Sequence, residues 1–246
     1  MFFDGEKLRA ALRDRTLPVY VPESIDSTNL ECRRRIEAGE GRCLVVAGMQ
    51  TAGRGRNGKR FFSPPGAGLY MSLAFRPAQG AENAISVTTY TAVAAAREIV
   101  RLTGRSCQIK WVNDLFLDRR KVCGILTEAV GDTLIVGVGV NLLPTSVPPE
   151  LEGIVGCLNC AGIAEELAAG VTNALLQYHP EDASHMEEYR RRSLVLGRSV
   201  RFFHDGRQRG GVAVAILDDG ALVVDTPDGR ETLRSGEVSL SGIAGI

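Results

Sequence analysis

No segment of this sequence is apolar for long enough to cross a bilayer. The longest mostly apolar run, residues 134–140, is broken by glycines and falls far short of the roughly 20 residues a spanning helix needs. The start, Met1-Phe2-Phe3-Asp4-Gly5-Glu6-Lys7, has no extended apolar stretch, so a secretory signal is not expected. Neither sign of charge is in excess: 29 Lys and Arg stand against 29 Asp and Glu, which leaves no bulk field for a polyanionic partner. The six cysteines follow no framework spacing and read as reduced thiols of a cytoplasmic chain. Cys157-Leu158-Asn159-Cys160 is a CxxC without a second pair, which favours a structural role over zinc. No GxxxxGK[ST] occurs, which excludes a Walker loop. Gly137-Val138-Gly139-Val140-Asn141 lacks the third glycine and the following helix of a dinucleotide fingerprint.

What is present is an ordinary globular composition, 44% hydrophobic and 24% charged over 246 residues, enough for a main domain with a smaller one beside it. Periodicity predicts helices at residues 5–14, 30–38, 86–102, 163–178 and 181–193, with Ser27 and Thr28 as N-cap candidates for the second. It predicts strands at 43–48, 69–75, 108–111, 115–118, 121–130 and 133–140. Residues 51–59, rich in Gly and Arg, form a loop. After Ser193 the pattern becomes short strands, at 199–204, 211–217, 221–226 and 231–233, punctuated by Asp205-Gly206, Asp219-Gly220 and Asp228-Gly229. The expectation is an α+β main domain over 1–193, with a mixed sheet and flanking helices, then a small SH3-like β-barrel over 194–246.

Four segments carry chemistry. Gly53-Arg54-Gly55-Arg56-Asn57-Gly58-Lys59-Arg60 sets cations on a glycine-rich backbone that lets N–H groups approach an anion, with arginines to grip phosphate oxygens. A basic loop or an RNA-binding Arg/Gly tract is the alternative. Lys110-Trp111-Val112-Asn113-Asp114 places an ammonium, an amide and a carboxylate at a strand end, suited to an anion with a metal, or else forms a solvated turn. Lys121 precedes Val122-Cys123-Gly124-Ile125-Leu126, so its ammonium either enters a cleft or stays at the surface. Ser27-Thr28-Asn29 is a binding segment or a bare helix cap.

Together with Gln50-Thr51-Ala52, Ser63-Pro64-Pro65-Gly66-Ala67-Gly68-Leu69-Tyr70-Met71-Ser72, the continuation of the Lys121 segment through Thr127-Glu128, Gly137-Val138-Gly139-Val140-Asn141 and Gly236-Glu237-Val238-Ser239-Leu240, these motifs closely resemble the biotin–protein ligase family, in order, over almost the whole chain. The resemblance implies a class II synthetase-like (biotin–lipoate ligase-like) fold. It implies an enzyme that activates biotin with ATP and Mg²⁺ to biotinyl-5′-AMP and transfers biotin to a lysine of a biotin carboxyl carrier protein. By resemblance, Ser27, Thr28, Asn29, Gln50, Gly53, Arg54, Gly55, Arg56, Lys121 and Gly124 contact biotin. Arg54, Arg56, Lys59, Phe61, Lys110, Asn113 and Asn141 lie near the nucleotide. Lys121, Arg54, Arg56 and Asp114 are the catalytic candidates, with Asp114 as base, Mg²⁺ ligand or ribose contact. Lys59 and Phe61 stand where the family often has Arg and Trp, and a lysine lacks the guanidinium fork. A lipoate or octanoate ligase is the nearest rival; the Gly-Arg-Gly-Arg loop and the β-rich tail favour biotin. Only about 25 residues precede Ser27, too few for a helix-turn-helix, so operator binding is not expected. Further expectations are a loop ordered by the adenylate, a β module serving ATP or the carrier, and a homodimer paired through the strand at 133–140 as an exposed edge.

Overall fold

The computed structural model describes residues 3–77, 84–204 and 206–240. Met1 and Phe2 of the amino-terminal reading, and Asp205 of the first Asp-Gly pair, lie outside the described residues. Seven strands form the main sheet: β1 (Val19–Tyr20), β2 (Cys43–Ala47), β3 (Gly68–Phe75), β4 (Gln108–Lys110), β5 (Asp114–Leu117), β6 (Arg120–Val130) and β7 (Thr133–Asn141). Their order is β1-β2-β3-β7-β6-β5-β4. The β1–β2 pair is parallel and every other pair antiparallel, so the sheet is mixed as expected.

Among the described residues five α-helices accompany it: α1 (Gly5–Ala11), α2 (Thr28–Glu37), α3 (Ala84–Thr103), α4 (Ala164–Leu175) and α5 (His185–Arg191). The period of two along a strand explains the layering. In β7, Leu134, Val136, Val138 and Val140 join the core built with α3 and α4, whereas Ile135 packs with Cys32, Cys43, Val45 and Ala74 beneath α2. Gly137 and Gly139 alternate with those valines and so share the α2 face. Beyond the end of α2 that face is floored by glycine rather than by side chains.

The central place of β7 corrects one expectation. The strand is not an edge: it lies between β3 and β6 and pairs along its length with both. Its apolar side is covered by helices, not by a second copy. The sheet edges are β1 and β4, of two and three residues, and strands so short offer little to a partner's ladder. A second correction concerns α2, which begins at Thr28 with Ser27 at the N-cap position, but Ser27 makes no side-chain capping bond.

The tail forms a five-stranded antiparallel sheet of β8 (Ser199–His204), β9 (Arg207–Ile216), β10 (Leu222–Thr226), β11 (Gly229–Leu233) and β12 (Val238–Leu240), in the order β11-β10-β9-β8-β12. It is joined to the main body through polar contacts, one of them buried. The Trp111 indole N–H donates to the Gly220 carbonyl at 2.8 Å. Arg190 of α5 donates to the Ile216 carbonyl at 2.6 Å and pairs with Asp218. Among the described residues no helix is long and apolar enough to cross a membrane. All six cysteines are free, with Cys157 and Cys160 half-buried.

Candidate active site

Strand register builds the floor of a cleft of about 480 Å³. One row of paired residues runs across the sheet: Tyr70 opposite Gly139, Gly139 opposite Gly124, Gly124 opposite Asp114, and Asp114 opposite Lys110. Two glycines at the centre of a row flanked by a carboxylate and an ammonium leave a trough with charge at one end. The next row on the same face is Ser72, Gly137 and Leu126. Here a β-carbon on Gly137 would stand 2.1 Å from Asn29 Oδ1, so the glycine admits the asparagine side chain beneath it.

The Gly-Arg loop covers this floor as a tight turn. Phe61 N–H donates to the Gly53 carbonyl at 2.9 Å and Gly55 N–H to the Lys59 carbonyl at 2.7 Å. A β-carbon on Gly53 would lie 2.4 Å from the Phe61 carbonyl oxygen, which accounts for that glycine by close approach. The loop cations diverge. Arg56 Nη1 turns inward and donates to Asn113 Oδ1 at 3.1 Å. Arg54 turns to Glu128 at 3.2 Å on the rim, and Lys59 reaches across to Glu237 of the small sheet at 2.5 Å. Phe61 lays its ring over the glycine floor: a β-carbon on Gly139 would be 2.4 Å from it. The same ring meets Tyr70 edge-on at 6.4 Å between centroids and lies 6.0 Å from the Lys121 ammonium.

Lys121 enters the cleft, where its Nζ lies 2.7 Å from Asp114 Oδ1. Two of the expected catalytic groups therefore pair with each other. Lys110 stands close by; burial pushes its pKa below the usual lysine range, Asp114 opposes this and Lys121 reinforces it. Asn113 and Asn141 are largely engaged with backbone. Asn113 Nδ2 donates to the Ile125 carbonyl at 2.9 Å, and Asn141 Nδ2 to the Gly156 carbonyl at 3.0 Å. Asn141 thereby helps hold a segment whose Ile154 carbonyl accepts from Lys121 N–H at 2.8 Å. Leu151, Ile154 and Val155 of this segment form an apolar wall of the cleft.

At the other end, Ser27, Thr28 and Asn29 are buried at the start of α2 and line the cleft. The backbone N–H of Thr28 donates to Gln50 Oε1 at 2.9 Å, and Gln50 Nε2 donates to Ser63 Oγ at 2.8 Å. The cleft thus gathers almost every residue expected from the motifs. Arg54 and Lys59 line it as well, although both direct their charge to carboxylates at its margins. Sequence reasoning gave no role to Tyr70, Ser72, Gly137, Glu128, Arg201 or Glu237. The alternation of glycine with valine in Gly137-Val138-Gly139-Val140 was a signal for the floor; Tyr70 and Ser72 lay within a motif that gave them no role, and nothing local marked Arg201.

Comparison with known proteins agrees with this geometry. Residues 21–142 match the biotin/lipoate A/B protein ligase family, and residues 195–241 match the biotin protein ligase C terminal domain. The bifunctional ligase/repressor BirA of Salmonella typhimurium is 31% identical, over 96% of this chain and 78% of the relative. A biotin–[acetyl-CoA-carboxylase] ligase of Paracoccus denitrificans is 29% identical, over 88% of this chain and 98% of the relative. The biotin protein ligase from Aquifex aeolicus, solved in complex with biotin and ATP, superposes with a TM-score of 0.77 at 25% identity, covering 91% of this chain and 98% of that one. The fold and cleft are those of a ligase of the biotin/lipoate class. Within that class, the chain belongs to the biotin protein ligase family and is an enzyme of that kind.

Proposed function

We propose that the enzyme joins biotin to ATP and then to a carrier lysine. A biotin carboxylate oxygen attacks the α-phosphorus, the bond to the β-phosphate oxygen breaks, and pyrophosphate leaves. The resulting mixed anhydride, biotinyl-5′-AMP, is attacked at its carbonyl carbon by a neutral lysine amine; AMP leaves and the amine loses a proton. The observation that carries this reading is the convergence of Lys110, Lys121 and Arg56 on a glycine-floored trough. Bringing two anions together needs cations that are already in place.

In this reading Ser27, Thr28, Asn29 and Gln50 take the polar head of biotin, with Gly53, Gly55 and Arg54 of the loop above it. Gly124 and Gly139 let its chain lie on the backbone, and Lys121 holds its carboxylate. Asp114 occupies Lys121 meanwhile, as a resident carboxylate that the substrate's must displace. Arg56, Lys110, Asn113, Asn141, Phe61 and, at the margin, Lys59 face the nucleotide. Of the two carboxylates that line the cleft, Glu237 pairs with Lys59 at the margin, which leaves Asp114 for Mg²⁺. That fits an ion which commonly takes one or two carboxylates together with substrate phosphates, and Asp114 would hold it there, neutralising phosphate charge. As a base for the carrier lysine, Asp114 is the carboxylate of the row. The covering loop keeps water from the anhydride.

Arg201, Glu237 and Ser239 line the cleft from the small sheet, which supports a role for that module on the nucleotide and carrier side. The carrier is proposed to be the biotin carboxyl carrier protein of a carboxylase, in the cytoplasm, where free cysteines stay reduced. No DNA-binding role is proposed for the described residues ahead of Ser27, whose one helix, α1, packs on α4. The test is transfer of labelled biotin, with labelled lipoate in parallel, to a carrier domain with and without ATP. Label from biotin alone, dependent on ATP and accompanied by pyrophosphate, is expected. Transfer of lipoate instead, or transfer without ATP, overturns the proposal.

A further inference from the structure

Asn29 is 4% exposed and both ends of its amide are engaged. Its Nδ2 donates to Glu128 Oε2 at 2.8 Å, and its Oδ1 lies 2.6 Å from Ser72 Oγ. A carboxylate only accepts, so Glu128 fixes which way the amide points. Ser72 is fully buried, and its Oγ also lies 2.7 Å from Thr28 Oγ1. A serine hydroxyl has one hydrogen to give and Asn29 Oδ1 can only accept. The Thr28 hydroxyl is then left to donate, to Ser72 or to Gln50 Oε1 at 3.2 Å. From Gln50 the chain continues to Ser63, whose Oγ donates to the Phe61 carbonyl at 3.0 Å. At the opposite end, Glu128 Oε1 is 3.2 Å from Arg54 Nη2 and 3.7 Å from Arg33 Nη2. One polar network therefore grips the covering loop twice, at Arg54 through Glu128 and at Phe61 through Ser63, and both grips meet at Thr28 and Asn29.

We infer that Glu128 is a positioning residue that latches the covering loop to the biotin-facing segment by holding Arg54 with one oxygen and Asn29 with the other. The inference rests on the function proposed above. Asn29 needs only an acceptor, which a neutral amide oxygen could supply; the negative charge is needed for Arg54. The Glu128 side chain is 17% exposed, so its pairing with Arg54 is partly shielded from solvent. The two loop arginines then have separate tasks: Arg56 faces the reacting groups, and Arg54 keeps the loop closed over the intermediate.

The experiment loads the enzyme with biotin and ATP, removes free ligand and follows release of biotinyl-5′-AMP. The proteins are wild type, Glu128→Gln, Arg54→Gln and the double variant, each with its thermal midpoint and its biotin KM. Glutamine keeps an acceptor for Asn29 and presents no charge to Arg54. Each single variant is expected to release the adenylate faster by on the order of tenfold, the factor that about 1.4 kcal/mol represents. The double variant is expected to be no faster than either single, and Glu128→Gln alone to keep its midpoint and biotin KM near wild type. Release at the wild-type rate by Glu128→Gln, or additive effects in the double variant, overturns the inference. Arg54→Gln probes the same link from a more exposed side chain, so wild-type release there overturns it too, even if Glu128→Gln does not fold. A wild-type protein that forms no biotinyl-5′-AMP fails at the earlier step and overturns the proposed function itself.

Discussion

Two glycines on the same face of β7, two residues apart, should fail in opposite ways when replaced by alanine. At Gly137 the new methyl would stand 2.1 Å from Asn29 Oδ1 and 3.0 Å from its Cγ. Asn29 cannot retreat, because its amide is held by Ser72 and Glu128. Displacing it breaks both bonds and strands buried partners, at about 1–3 kcal/mol each. Removing a glycine from a strand returns about 0.5–1 kcal/mol. Gly137→Ala should therefore destabilise the fold by about 1–5 kcal/mol. At Gly139 the methyl would meet Phe61 ring carbons at 2.4 and 2.6 Å. That ring is half-buried on a loop over an open cleft and can swing away. Gly139→Ala should change stability by less than about 1 kcal/mol and raise the KM for biotin by narrowing the trough. The assays are equilibrium denaturant unfolding of both variants, with m-values compared, and steady-state kinetics with biotin varied. Equal destabilisation by the two, or a Gly139→Ala enzyme with wild-type biotin KM, would refute the account of the floor.

Lys121→Ala should lose about 2–5 kcal/mol of biotin kcat/KM, the range for truncating one member of a buried charge pair, with folding retained; an unchanged value would remove Lys121 from the carboxylate site. Burial lowers the pKa of Lys110, so its contribution to ATP binding should fade below pH 10.5, where an ordinary lysine is still charged. Lys110→Arg, which stays charged, should abolish that alkaline rise in the KM for ATP; an identical pH profile in both proteins counts against the role. For stability the sign is opposite: the folded state releases this proton first, so the penalty of burying a charged Lys110 begins to lift as pH rises through its lowered pKa and is gone only above the ordinary lysine value. Lys59→Ala removes an exposed pair with Glu237 and should change the unfolding free energy by less than about 1 kcal/mol, a limit that denaturant titration can test.

The elements that sequence located best have periodic patterns answered by one neighbouring layer. The long α3 and the strands β3, β6 and β7 fall within a few residues of expectation. The two-residue β1 left no pattern because so short a strand has no period to read, and β9 begins at Arg207 rather than Gly211 because its first turn of pairing is polar on both faces. Residue types marked the site well where chemistry is unusual for a loop, as in Arg54-Gly55-Arg56, or where a cation abuts a strand, as at Lys121. Partners were not legible. Nothing local in the sequence says that Asp114 pairs with Lys121, that Arg54 turns outward to Glu128, or that Ser72 lies beneath Thr28 and Asn29, since each depends on the register of β3, β5, β6 and β7. The mistaken edge at residues 133–140 has the same origin: alternation shows that one face is covered, but not by what.

The chain has one tryptophan, and it sits at an informative place. Trp111 is buried between Lys110 and Asn113, with its indole N–H on the Gly220 carbonyl of the small sheet. Intrinsic emission excited at the indole band is therefore a single-site spectrum from the junction of the two sheets, without a label. A docked module should give a blue-shifted, quencher-protected signal. Loosening at the Gly220 turn should shift it red and open it to iodide while the main sheet is still folded, so that unfolding followed by fluorescence and by far-ultraviolet dichroism would separate into two curves.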